Sequence, residues 1–276
     1  MSKHLKRLAA PRSWVIPRKT NVYTTKPRAG AHPVERALPL ATVVRDYLKL
    51  TETGREARRV IGAGEVQVDG RVVKDAKFAV GFQDVVAVPK TKQAWRVMVD
   101  EKARLRLVPI DAKQAGWKLA QIAGKTTVRG GVTQLNLHDG RNLLVKKDDY
   151  ATGDVLRLEL PSQKVLGHFP LKEGASVFIV DGRHAGEVAP VQTIEVTRSN
   201  KDNLVHLGRG QETFTTIKPY AFPIGDKANL PAAEPSGSVL ARAPQASVQE
   251  PVAAAPAPAA PAPRARRAPA EVKPVA

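Results

Sequence analysis

Between positions 61 and 71 the sequence IGAGEVQVDGR leaves the backbone little choice. Gly62 and Gly64 stop whatever helix precedes them, and Asp69-Gly70 is a pair that readily takes the positive φ angles of a type I′ hairpin turn. A helix ending here must pass straight into a hairpin. Upstream, Thr53 and Glu56 make a T-x-x-E capping box, each side chain satisfying an amide that the first helical turn leaves unpaired. From that cap a helix runs to about Ile61, and a 3.6-residue period places Ala57, Val60 and Ile61 on one face. Arg55, Arg58 and Arg59 are left on the flanks and the opposite side. Val66 and Val68 alternate with Glu65, Gln67 and Asp69 as an incoming strand, and Val72 and Val73 begin the return. The expected unit has one apolar side and a rim of Arg55, Arg58, Arg59, Arg71 and Lys74. By pattern alone, that rim fits a solvated helix face as well as a polyanion contact.

The flanking residues complete this unit. LPLATVVRDYLKL places Leu40, Val43, Val44, Tyr47 and Leu48 on one face of a helix expected over 38–50. FAVGF at 78–82 and DVVAV at 84–88 read as further strands, closing a small domain near position 89. The charge balance decides what such a domain meets. With 44 Lys plus Arg against 26 Asp plus Glu, the 276-residue chain carries a formal charge of +18. Self-repulsion on that scale weakens the compact state, so a partner that neutralises it is expected, and phosphate backbones are the commonest. The absence of cysteine excludes disulfides, thiolate metal sites and thiol nucleophiles. No apolar run approaches the roughly 20 residues that span a bilayer, and the basic N-terminus lacks the apolar core of a signal peptide. A soluble, cytosolic protein with no membrane partner is expected.

Residues 1–37 carry Lys3, Lys6, Arg7, Arg12, Arg18, Lys19, Lys26, Arg28 and Arg36 against Glu35 alone. Pro11, Pro17, Pro27 and Pro33 prevent a long helix. Such an arm cannot fold by its own burial, yet Leu5, Leu8, Trp14, Val15, Ile16 and Tyr23 punctuate it, so it should order on something else. Aromatic rings among cations suit RNA, with Trp14 or Tyr23 stacking on exposed bases while Lys and Arg meet phosphates. The competing reading is a solubilising tail.

Residues 90–172 read as mostly strand: 95–99, 103–110, 133–137, 142–145 and 155–160, separated by glycine turns. One helix is expected among them, capped by Asp111 and Gln114 and continuing through Ala115, Trp117, Lys118 and Leu119. From Gly174 to Val191, Val177 and Ile179 alternate into a strand, Gly182 and Gly186 bound a basic loop with Arg183 and His184, and Val188 and Val191 resume the strand. Further strands are expected at 192–197, 203–207 and 212–217. Beyond position 229 alanine and proline dominate, a composition that cannot build a core and reads as a disordered tail.

Nothing in the chain asks for catalysis. The six histidines show no metal-ligand spacing. Ala123-Gly-Lys-Thr126 lacks the upstream glycine of a phosphate loop, since Leu119 stands there. Asp148 and Asp149 follow Lys146 and Lys147, where a charged turn explains them. No serine sits in a nucleophile elbow. No cofactor, metal or small-molecule substrate is expected.

Three resemblances give these readings a direction. The run from Arg58 to Arg71 resembles the S4-type RNA-binding domain, which implies that Arg55, Arg58, Arg59, Arg71 and Lys74 face structured RNA. The run from Gly174 to Val191 resembles the KOW motif of small SH3-like barrels, with Ala189 in place of its third glycine. HLKRLAAPRSW at 4–14, AHPVERALPLATVVRDYL at 31–48, VGFQDVV at 80–86, LVHL at 204–207, Phe214 and the run Phe222-Pro-Ile-Gly225 together resemble the ribosomal protein S4e family of archaeal and eukaryotic small subunits. That likeness covers about residues 3–227 and leaves out the Ala/Pro-rich tail. It implies a structural ribosomal protein without catalytic residues, whose partners are small-subunit ribosomal RNA and neighbouring ribosomal proteins in the cytoplasm. The RNA-binding set is then Lys3, Lys6, Arg7, Arg12, Trp14, Arg18, Lys19, Lys26, Arg28, Arg55, Arg58, Arg59, Arg71, Lys74, Arg183 and His184. The expected fold is α+β, mostly β and multidomain. Its parts are an arm at 1–37, an S4-type αα-hairpin unit at 38–89, a central β domain at 90–172, a KOW barrel at 173–228 and a disordered tail at 229–276. The alternatives are a non-ribosomal translation or transcription factor, or an RNA-modifying enzyme that carries an S4-type domain.

Overall fold

The computed structural model of the chain describes residues 4–146, 148–210 and 212–225. Lys3 and the tail expected from 229 lie outside the described residues. The architecture is mostly β, with short helices and three five-stranded antiparallel sheets.

In the arm, β1 (Leu5–Lys6) and β2 (Tyr23–Thr24) form a two-stranded ribbon. The loop between them turns inward. Ala10, Trp14 and Ile16 are buried, Trp14 to 2% exposure, in the same core as the residues that follow. The Val15 amide donates to the Tyr47 hydroxyl at 2.8 Å, and the Leu105 amide donates to the Ser13 carbonyl at 2.9 Å. What this arm orders on is therefore the chain's own body. Its prolines block a helix, but its apolar side chains fill a core shared with buried residues from Leu38 to Leu119 and with Val155, Phe178, Ala185, Phe222 and Ile224.

β3 (Ala37–Pro39) leads into α1 (Leu40–Thr42), after which the helical turns widen over Val43–Tyr47 and the Leu48 amide reaches the Val43 carbonyl at 2.9 Å. The helix expected over 38–50 is shorter because residues 37–39 are spent on strand pairing with Ala79–Gly81. Pro39 fixes the point of entry. Leu40, Val43, Val44, Tyr47 and Leu48 are all buried, as their spacing requires. α2 (Gly54–Gly62) follows with both halves of its capping box formed, the Glu56 amide to Thr53 Oγ1 at 3.2 Å and the Thr53 amide to Glu56 Oε2 at 3.4 Å. Ala57 and Ile61 are buried.

β4 (Gln67–Val68) and β5 (Arg71–Val72) make the hairpin, with φ of 51° at Asp69 and 74° at Gly70, the turn that its Asp-Gly pair dictates. β6 (Ala79–Gly81) pairs with β3. β7 (Val85–Val88), β8 (Gln93–Val99) and β9 (Leu105–Ile110) extend the hairpin into a sheet of order β5-β4-β7-β8-β9, which crosses position 90 without interruption.

α3 (Ala112–Ala115) is only one turn long, and Asp111 makes no side-chain cap bond. Trp117, Lys118 and Leu119, expected in that helix, instead open the long strand β10 (Trp117–Val128). Gly116 ends the helix, and registry of Trp117 with Glu159 and of Leu119 with Arg157 holds the segment extended. β11 (Val132–Leu137), β12 (Asn142–Val145), β13 (Val155–Glu159) and β14 (Val165–Phe169) complete a sheet of order β12-β11-β10-β13-β14.

β15 (Ser176–Ile179), β16 (Val188–Glu195), β17 (Leu204–Arg209), β18 (Glu212–Ile217) and β19 (Ala221–Pro223) form the last sheet, of order β18-β17-β16-β15-β19. The strand expected at 192–197 is the far part of β16. Phe82 stacks on Phe178 at 5.7 Å and meets Phe222 edge-on at 5.1 Å, so this sheet shares a core with the hairpin unit. Gly186, at φ 81°, lies so close to the turn at Asp100 and Glu101 that an added Cβ would come within 2.8 Å of that backbone.

Candidate nucleic-acid interface

The apolar stripe of α2 sets the direction of its charges. With Ala57 and Ile61 turned inward, Arg55, Arg58 and Arg59 stand exposed on the other side. Arg71 and Lys74 are exposed on and after the hairpin. Arm residues flank this surface. The Arg28 amide donates to the Lys77 carbonyl at 2.8 Å, bringing exposed Arg28 beside the loop after the hairpin, where its guanidinium is 3.8 Å from Asp75. Lys6, Arg12 and Lys19 are exposed, and Lys26 is half-buried. Arg183 is exposed in its glycine-bounded loop, while the His184 ring stacks on Phe214 at 4.3 Å and lies 3.6 Å from Glu187.

Three expected contacts need correction. Trp14 is sealed in the core, so it has no face to offer a base. Arg7 is equally buried, its Nε donating to the Pro17 carbonyl at 2.5 Å and its Nη2 lying 3.7 Å from Asp46. Arg18 wraps the arm's own backbone, donating to the carbonyls of Leu8, Ala10 and Pro11 at 3.3, 2.7 and 2.8 Å. For the two arginines, the loop between β1 and β2 folds back and leaves carbonyls that their guanidinium groups satisfy, because a buried carbonyl without a donor costs free energy.

A second charged group escaped the sequence reading altogether. Lys118, fully buried on β10, places its ammonium 2.7 Å from Asp69, 3.1 Å from Asp84 and 2.5 Å from Asp139. Arg141 Nη2 adds a contact to Asp69 at 2.5 Å, and His32 from the arm meets Asp84 at 3.0 Å. The carboxylates also hold backbone: Asp69 receives the Val85 amide and Asp84 the Gly81 amide, both at 2.9 Å. Two Asp-Gly turns, one from the hairpin and one from the β11–β12 connection, thus aim their acids at a single lysine. Gly140 sits against Ala31, where an added Cβ would come within 3.1 Å of the arm backbone.

Burial and pairing set the protonation states here. Desolvation works against charge on Lys118, but Asp84, Asp69 and Asp139 outweigh it and hold the ammonium above its ordinary range. Asp84 is likewise burdened by burial, yet Lys118 and His32 drive it well below the usual carboxylate range. Burial pushes the His32 imidazole down, and the contact with Asp84 more than reverses this, leaving it raised. His138 has no such acid in direct contact; burial takes it down to about 4, and it packs as a neutral ring near Phe82 and Phe222.

Residues 1–35 match the RS4NT (NUC023) domain, 38–86 the S4 domain and 91–165 the ribosomal family S4e. The small ribosomal subunit protein eS4 of Methanothermobacter thermautotrophicus is 47% identical over 225 residues, spanning 81% of this chain and 92% of that protein. The protein of the same name from Archaeoglobus fulgidus is 46% identical over 81% of this chain and 94% of its own length. Among solved structures, the 30S ribosomal protein S4e from Thermoplasma acidophilum matches with a TM-score of 0.62 at 33% identity, covering 70% of this chain and 97% of that one.

Proposed function

The chain belongs to the ribosomal protein family S4e, and on that premise we propose that it is a structural constituent of the small ribosomal subunit, binding ribosomal RNA and supporting translation. It is not an enzyme, and its working place is the cytoplasmic ribosome beside neighbouring ribosomal proteins. The observation that carries the RNA contact is the exposure of Arg55, Arg58 and Arg59 on a rigidly capped helix, with Arg71 and Lys74 on the adjoining hairpin. Cations held on fixed elements read the geometry of an A-form backbone, whose bases lie in a groove too deep and narrow for side chains to enter. Lys6, Arg12, Lys19, Lys26 and Arg28 extend the surface along the arm; Lys3, of the same set, lies outside the described residues. Arg183 and His184 form a second contact. The five-stranded sheet of residues 176–223, with its positive-φ glycines at 182 and 186, supports reading this part as an SH3-like barrel of the KOW type.

Sedimentation tests this. The chain should remain with small subunits through a high-salt wash that strips proteins held by a few phosphate contacts alone. Quantitative release in that wash would mark it as a loosely bound factor.

A further inference from the structure

We propose that the groove between the arm and the start of α2 holds one unpaired ribonucleotide, its base against Tyr23 and its phosphate at Lys49 and Arg45. This rests on the RNA-binding reading above and gives it a local chemistry. The groove measures about 900 Å³, at the upper end of the roughly 300–1,000 Å³ of small-ligand sites. One wall is the arm from Pro17 to β2, and the other is the turn at 45–54.

Tyr23 is 56% exposed and Val22 68%, an apolar strip left uncovered on a molecule dominated by charge. His4 meets the Tyr23 ring edge-on at 5.5 Å, and Lys6 pairs opposite Tyr23 in the ribbon. The ring is therefore positioned by its surroundings while much of its surface stays open. Stacking on such a ring suits any base, because every base has a π face.

The opposite wall supplies the anion contacts. Lys49 is exposed, stands at φ 52°, and has no acidic partner among the described residues. Arg45 grips Asp46 through Nε and Nη2 at 3.2 and 2.8 Å. Its Nη1 lies against Gly54 on the same wall, where an added Cβ would come within 3.2 Å. The end of α2 itself is not an anion site, since the Glu56 carboxylate already takes the amides of Glu52 and Thr53. Arg7, Arg45 and Lys49 against Asp46 and Glu52 leave the lining with one net positive charge, which suits a single phosphodiester.

The test uses the full chain and two RNA hairpins, one carrying a bulged 2-aminopurine and one fully paired. Wild type should prefer the bulged hairpin and quench its fluorophore. Tyr23→Ala should cut that preference about tenfold and abolish the quench, whereas Tyr23→Phe, which keeps the ring, should retain both. Lys49→Gln should weaken the bulged complex more than the paired one. An unchanged preference in Tyr23→Ala, with the same melting temperature as wild type, overturns the groove while leaving RNA binding by α2 intact. Loss of subunit incorporation in Tyr23→Ala without any change on either hairpin overturns it too, by assigning the groove to a protein segment. If wild type binds neither hairpin, the RNA reading and the groove fall together.

Discussion

The guanidinium groups of Arg55, Arg58 and Arg59 stand in water on one side of α2, whereas the ammonium of Lys118 is enclosed by three carboxylates between the hairpin tip and the central sheet. Side chains of one chemical class do opposite work in the two places. In water, a cation costs the fold little and is free to release counterions when it meets phosphate. Out of water, the same charge is tolerable only if acids surround it, and those acids then depend on it. A high positive charge therefore says that polyanions are near, but not which cations meet them. Burial decides that, and Arg7 and Arg18 side with Lys118 although their sequence neighbours do not.

Breaking the buried set should have the largest effect. Lys118→Met leaves Asp69, Asp84 and Asp139 with Arg141 as their remaining close cation besides His32, and removing one partner of a buried ion pair costs about 3–5 kcal/mol. For a body of this size we expect a fall in melting temperature of about 10 °C, read by calorimetry. A change under 2 °C would mean that water reaches the cluster and screens it.

The two arm aromatics sharpen the contrast without any charge. Trp14→Ala should cost about 3–5 kcal/mol in denaturant unfolding, since it empties a buried site. Tyr23→Ala, at an exposed site, should stay within about 0.5 kcal/mol of wild type. Removing residues 1–36 would therefore unmake part of the core as well as the RNA contacts, so an arm deletion is not a clean test of binding.

The smallest effect concerns pH. The folded state raises the His32 pKa through Asp84, so the ion pair contributes its full stabilisation below the unfolded value of about 6.5. That contribution is lost as pH rises through the folded value, which lies higher. Stability measured from pH 6 upward should fall for wild type relative to His32→Gln, and parallel profiles would show that Asp84 does not hold the charged imidazole.

Local patterns carried much of this structure. The capping box at Thr53, the Asp-Gly turn at 69–70 and the exposure of Arg55, Arg58 and Arg59 all follow from spacings within a few residues. Trp14 could not be read this way, because its burial depends on a core built by residues far from it in the chain. Lys118 sits between Trp117 and Leu119 in a stretch that scans as helix, and only its pairing with β13 turns it inward. Asp69 and Asp139 each precede a glycine, so turn chemistry explained them fully and hid their second role. The available signal was a lysine flanked by apolar residues beside the Asp-Gly pairs at 69–70 and 139–140, two of the three in the chain.

The α2 arginines are then expected to bind RNA and to do nothing for the fold. The most direct measurement is the salt dependence of RNA affinity for Arg55→Gln/Arg58→Gln/Arg59→Gln beside its melting curve. If all three meet phosphate, the slope of log affinity against log salt should shrink by about two to three, with the melting temperature held. An unchanged slope, or a collapse of the fold with affinity per folded molecule preserved, would contradict the account.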